Sequence, residues 1–135
     1  VACVARRDLP VHERIDFIPP VGPVGRRKLV ARSACVRTDS GGLQEEAPAW
    51  GRPVLVLRRE TERPEAVKAG TVRLAGTEAQ AVYAQAARLL TDPAAYAQMA
   101  QAVNPYGDGQ ACRRIVDGIL WHYGLRETPP DAFSE

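Results

Sequence analysis

Apolar positions in this chain follow two rhythms: short alternating or uninterrupted runs, and longer stretches with helical spacing. Ile15-Asp16-Phe17-Ile18 reads as a strand that stops at Pro19-Pro20. Pro23 and Gly25 break the following stretch, leaving only a short helix over Arg26 to Arg32. Ala34-Cys35-Val36 predicts a buried strand running into Thr38-Asp39-Ser40-Gly41-Gly42. Pro53 to Leu57 is a continuous apolar run, the pattern of a parallel strand covered on both faces. Pro64 opens a short helix, since proline suits a first helical position, and Gly70 ends it. Thr71 to Ala75 alternates like a strand.

Longer helices follow. Thr77-Glu78-Ala79-Gln80 matches a capping box, and behind it Ala79, Val82, Tyr83, Ala86, Leu89 and Leu90 recur at helical spacing. A second helix spans Pro93 to Ala102. A third runs from about Gly109 to Tyr123, with Cys112, Ile115, Val116, Ile119, Leu120 and Tyr123 on one stripe and Gly124 as its stop. Strands alternating with helices predict an α/β fold with a Rossmann-like, doubly wound parallel sheet. The expected organisation is one domain over residues 1–125, ending in the long helix, and a loose tail over 126–135. In such sheets ligands gather at the carboxyl ends of strands. That rule singles out Ser40-Gly41-Gly42 and the loop from Arg59 to Arg63.

Composition narrows the partners. Lys plus Arg number 18 against 16 Asp plus Glu, and the resulting charge of +2 is too small to indicate nucleic acid. The longest apolar runs fall far short of a membrane span. Cys3, Cys35 and Cys112 lack CxxC spacing, and His12 and His122 stand at no metal-ligand distance from them, so no metal and no cofactor are expected. Free thiols in a reducing cytoplasm are the plain reading. No targeting segment is visible, and a start at Val1 suggests a processed protein or a piece of a longer one.

Two adjacent glycines at a helix start invite a ligand, because each costs roughly 1 kcal/mol against alanine inside a helix. After a strand, Ser40-Gly41-Gly42 offers unpaired N–H groups and close backbone approach, which suit a pyrophosphate; ligand-free strand-to-helix turns use the same residues. Glu45 and Glu46 diverge by about 100° on a helix, so they are not a paired acid and base. Glu46 lies four residues after Gly42 on the same face, placed to accept both hydroxyls of a ribose, whereas Glu45 suits a solvated face. Pro48 kinks or ends this helix and Gly51 closes it. In the second loop Arg58, Arg59 and Arg63 are equal candidates for phosphate oxygens, with a surface salt bridge to Glu62 or Glu65 as the ordinary alternative.

At these residues a family resemblance emerges. Thr38 to Thr77, with TDSGG followed by QEE and then TERPE, closely resembles the non-hydrolysing UDP-N-acetylglucosamine 2-epimerases, and NPYGDG at Asn104 to Gly109 matches the loop before that family's last helix. The resemblance is clear from about Thr38 to Gly118. It implies the C-terminal, UDP-binding part of a two-domain glycosyltransferase-B-like fold. The implied reaction interconverts UDP-N-acetylglucosamine and UDP-N-acetylmannosamine by eliminating UDP and adding it back, in cell-surface polysaccharide biosynthesis. Carried over by position, Ser40, Gly41 and Gly42 contact the diphosphate, Glu46 the ribose and Arg63 the nucleotide sugar, while the Val21 backbone reads the uracil. No catalytic residue is carried over. Pro10-Val11-His12 is similar to a Pro-Val-His of the family, but no Asn-Pro follows it, so His12 is not assigned a role.

The chain departs from the pattern in three places, one of them the run from Val21 to Gly25, which is poorer in helix formers than the family's. An aromatic that packs on the base is replaced by Arg26, and Arg37 interrupts the otherwise apolar strand before TDSGG, so it must snorkel, pair or sit at an edge. Family members are more than twice as long, with their acid and base groups upstream of the matched part. The resemblance therefore implies a chain inactive by itself, within an enzyme that dimerises through its other domain. A non-catalytic nucleotide-sugar binding or regulatory module is the alternative.

Overall fold

A computed structural model describes residues 12–133; Cys3, the Pro10-Val11 pair and the first eleven residues of the expected domain lie outside them. Six α-helices and three strands occur among the described residues: α1 (Pro23–Arg32), β1 (Val36–Thr38), α2 (Gly41–Glu46), β2 (Val54–Val56), α3 (Pro64–Ala69), β3 (Val72–Leu74), α4 (Ala79–Thr91), α5 (Pro93–Ala100) and α6 (Ala111–His122). A 3₁₀ turn, Pro48–Trp50, follows α2 as Pro48 demands, and Gly51 closes it at φ 63°. Gly70 ends α3 the same way at φ 84°.

All three strands are parallel, in the order β1-β2-β3, with Val36, Val54 and Val72 in register. The pleat of β2 sends Val54 and Val56 to one face and Leu55 to the other, and all three are fully buried. The first face packs against Val30 of α1, Ala47 after α2 and Ala66 of α3. The second packs against Leu89 of α4 and Met99 of α5. Helices on both faces make the sheet doubly wound, as the sequence pattern predicts. Asp92 caps α5 by accepting from the N–H groups of Ala94 and Ala95. No residue of α6 is buried, and its apolar stripe, with Ile115, Val116 and Ile119 more than half exposed, has no cover among the described residues.

Several boundaries differ from the sequence reading. Ile15 to Ile18 forms no strand, and Ile15 and Ile18 are exposed. An alternating pattern makes a strand only where a neighbour accepts its backbone hydrogen bonds. α1 starts at Pro23 rather than Arg26, because proline sits at its first position and Gly25 is accommodated within the turn. β1 begins at Val36, two residues later than expected, and the exposed Arg37 lies on the edge strand of the sheet formed by the described residues, the outcome that spares it burial. Glu78, not Thr77, is the N-cap of α4, and no side chain caps it, so the expected capping box does not form. Residues 126–133 are irregular but lie along α6, with Arg126 paired to Asp117 and Phe133 5.8 Å beneath the Arg114 guanidinium.

Leu55 joins β2 to the α4–α5 layer, so Leu55→Ala should destabilise the protein by about 2–5 kcal/mol. Urea unfolding measures this; a loss below about 1 kcal/mol would mean the layer collapses onto the gap.

Candidate functional site

Parallel pairing of Thr38 with Val56 brings the chain out of β1 and β2 on the same rim. The buried Thr38 accepts the Ser40 N–H through Oγ1 at 3.0 Å, which fixes the turn into α2. Ser40 is the N-cap of α2, but its side chain makes no capping bond. Gly42 faces open space. Gly41 does not: a Cβ there would stand 2.8 Å from Glu62 Oε1, so a carboxylate oxygen already lies against this glycine.

A polar strap ties α2 to the loop over residues 58–63. The Thr61 hydroxyl donates to Oε1 of the fully buried Gln44 at 2.6 Å and accepts the Arg63 N–H at 3.1 Å. Arg63 Nε donates to Glu45, and Nη1 to the Glu62 carbonyl at 3.3 Å. Glu45 is therefore half-buried and paired, not on a solvated face, because the loop after β2 folds over that side of α2. Its hydrogen bond raises the Arg63 pKa against the opposing effect of burial. The bond from its own backbone N–H, aided by Arg58 and Arg63, lowers that of Glu62 despite desolvation. Of the three candidate arginines, Arg63, the N-cap of α3, reaches Glu45 of α2, Arg58 pairs with Glu62 at 2.9 Å, and the exposed Arg59 turns to Glu78 at 3.5 Å.

Glu46 meets a different partner. Nη2 of Arg26, on the first turn of α1, donates to both its oxygens, at 2.8 and 3.2 Å. Val21, half exposed, stands just before the α1 N-cap and packs its side chain toward Gly25. The structure thus brings Ser40, Gly41, Gly42, Glu46 and Arg63 onto one rim, and joins Val21 to it through the Arg26 turn.

The NPYGDG loop closes the site from behind. Tyr106 packs on the α1–α3 core, and its hydroxyl is shut off from water. Burial, with the Glu65 carboxylate beside it, pushes its pKa up to about 12. Both oxygens of Asp108 accept from Arg114 at 2.7 Å, and Asp108 also accepts the Gln110 N–H, which holds its carboxyl well below the ordinary 3.8. Arg26, Gln44, Thr61 and Tyr106 escape a sequence reading because their partners lie 17 or more residues away; only the polar Gln44 at an inward position of α2 hints at one.

A groove of about 760 Å³ lies elsewhere, over Arg37, Leu57 and the α4 residues Tyr83 and Leu90, with walls too apolar for a diphosphate. Among the described residues no three His, Cys, Asp or Glu gather as metal ligands, and no helix is long and apolar enough to cross a membrane. His12 accepts the Arg14 N–H, and His122 lies edge-on to Tyr123.

The family model for UDP-N-acetylglucosamine 2-epimerase matches residues 2–120. A UDP-N-acetylglucosamine 2-epimerase of Bacillus subtilis is 53% identical over 122 residues, 90% of this chain and 32% of the relative. The chain thus spans about a third of the length of the curated relatives it matches. Among solved structures, Staphylococcus aureus MnaA in complex with UDP superposes with a TM-score of 0.84 at 46% identity, covering 96% of this chain and 36% of that one. The Neisseria meningitidis UDP-GlcNAc 2-epimerase bound to UDP-GlcNAc gives 0.75 at 47%, covering 77% and 28%. These likenesses establish a glycosyltransferase-B-like, Rossmann-type fold for the matched residues.

The depressed Asp108 pKa makes a pH-dependent contribution to stability. Its pairing stabilises the fold above the ordinary value of 3.8 and is lost as pH falls through the folded value. Asp108→Asn should therefore lower the melting temperature at pH 7 and differ less from wild type at pH 3. An equal deficit at both pH values would contradict this.

Proposed function

The chain belongs to the UDP-N-acetylglucosamine 2-epimerase family, and we propose that it forms the UDP-binding part of an enzyme interconverting UDP-N-acetylglucosamine and UDP-N-acetylmannosamine. The observation that carries this reading is the convergence of TDSGG, QEE and TERPE on one rim. The open backbone at Gly42 and the Glu45 carboxylate that holds Arg63 belong to the same short helix. The diphosphate lies on Ser40, Gly41 and Gly42. The first-turn N–H groups of α2 lack intrahelical partners, and Gly41 already tolerates an anionic oxygen at close range. Arg63 donates to the nucleotide sugar, Glu46 accepts the ribose hydroxyls, and the Val21 backbone reads the uracil.

In the reaction a base removes the C2 proton as UDP leaves C1, giving a 2-acetamidoglucal. UDP then returns to C1 while C2 is protonated on the opposite face. Such proton transfers need groups within about 3 Å of the sugar, and the rim described here supplies binding groups only. Residues 1–125 are thus the incomplete UDP-binding domain and 126–135 its tail. The whole enzyme works in the cytoplasm, as a homodimer joined through its other domain.

Two outcomes follow. The isolated chain should leave UDP-N-acetylglucosamine unchanged, as followed at C2 by proton NMR; turnover above background would refute the division of labour. In the full-length protein a hundredfold excess of UDP over its dissociation constant should add about 2.7 kcal/mol of stability. Gly42→Ala, which meets no neighbour within 4 Å, should raise the unliganded stability by about 0.4–1 kcal/mol yet remove much of the UDP gain by crowding the phosphate. Thermal melts with and without UDP read both signs, and equal losses in the two conditions would remove Gly42 from the site.

A further inference from the structure

We propose that Arg26 is a positioning residue that sets the Glu46 carboxylate for a ribose and thereby gives this site its preference for a ribonucleotide over a 2′-deoxyribonucleotide. The inference rests on the nucleotide reading above and adds a specificity device to it. Arg26 is anchored in the first turn of α1, where its own N–H donates to the Gly22 carbonyl at 3.0 Å. The same helix is tied at its other end, where Arg52 Nη2 donates to the Ala31 carbonyl at 2.8 Å. From this fixed base a single guanidinium nitrogen reaches both oxygens of Glu46, twenty residues away in sequence.

The ion pair is half exposed, with side chains 44% and 39% accessible, and pairs so placed contribute little to stability. Its effect lies in orientation. Glu46 is the last residue of a six-residue helix, and an unpaired glutamate there would sample several rotamers. One donor shared between the two oxygens holds the carboxylate plane fixed. It leaves lone pairs on both oxygens, since a carboxylate accepts about four hydrogen bonds. A vicinal diol with two O–H donors is the group that such a carboxylate recognises, and loss of one hydroxyl leaves a charged acceptor unmet. Arg26 also stands in the turn that follows Val21, so one side chain couples the base end of the site to its ribose end.

Titration calorimetry of the full-length protein with UDP and with 2′-deoxy-UDP tests this. Wild type should favour UDP by roughly tenfold. Arg26→Ala should weaken UDP by a similar factor while changing 2′-deoxy-UDP by less than about twofold, so the preference collapses; Arg26→Lys should restore part of it. Glu46→Gln should collapse it equally, and the double variant should add nothing further. Equal weakening of both nucleotides by Arg26→Ala would reduce Arg26 to a structural contact, and tighter UDP binding would make it a competitor of the ribose; either overturns the proposal. Wild type that binds UDP without preference overturns it while leaving the diphosphate site standing, whereas failure to bind UDP at all overturns the nucleotide reading itself.

Discussion

Everything at the rim depends on β2 being buried on both faces. Val54, Leu55 and Val56 have no accessible surface, so the strand admits one register against its neighbours: a slip by a single residue would exchange its two apolar faces. With Val36, Val54 and Val72 aligned, the carboxyl ends of β1 and β2 emerge side by side. The neighbourhood of the Ser40 turn and the loop over 58–63 is a consequence of backbone pairing. The side chains of the site refine that juxtaposition; they do not create it.

What they add is a set of opposed charges. Glu45 faces Arg63, Glu46 faces Arg26, and Glu62 lies between Arg58 and Gly41. Each pair is partly exposed, so its worth lies less in stability than in holding donors and acceptors at set places. A diphosphate entering this rim adds negative charge beside the Glu62 carboxylate. On the proposed reading, Glu62 would turn toward Arg58, already its partner, and leave Gly41 to the phosphate. The bond from Thr61 to the buried Gln44 holds the loop on α2 independently of these charged pairs.

The sheet and its loops were legible because their signals are local. A continuous apolar run marks β2, proline and glycine bracket α3, and the doublet Gly41-Gly42 marks the turn. The failures have a common physical origin in partners distant along the chain. Ile15 to Ile18 carries a strand's alternation but is not part of the three-stranded sheet. Glu45 looked solvated because nothing near it in sequence announces that Arg63 folds over it. The α6 stripe is a true helical periodicity, yet periodicity does not say what covers it, and among the described residues it stays open. Arg26 showed itself only as a departure from the family pattern; its bond to Glu46 required the fold.

Hydrogen–deuterium exchange of the full-length protein with and without UDP tests the central claim most directly. Backbone N–H groups that cradle a diphosphate should exchange more slowly when it binds, so residues 40–46 should gain protection together with residues 58–63 that strap onto them, while the apolar groove along α4 should stay unchanged. Protection confined to α4, or absent from residues 40–46 at saturating UDP, would contradict the assignment of this rim as the nucleotide site.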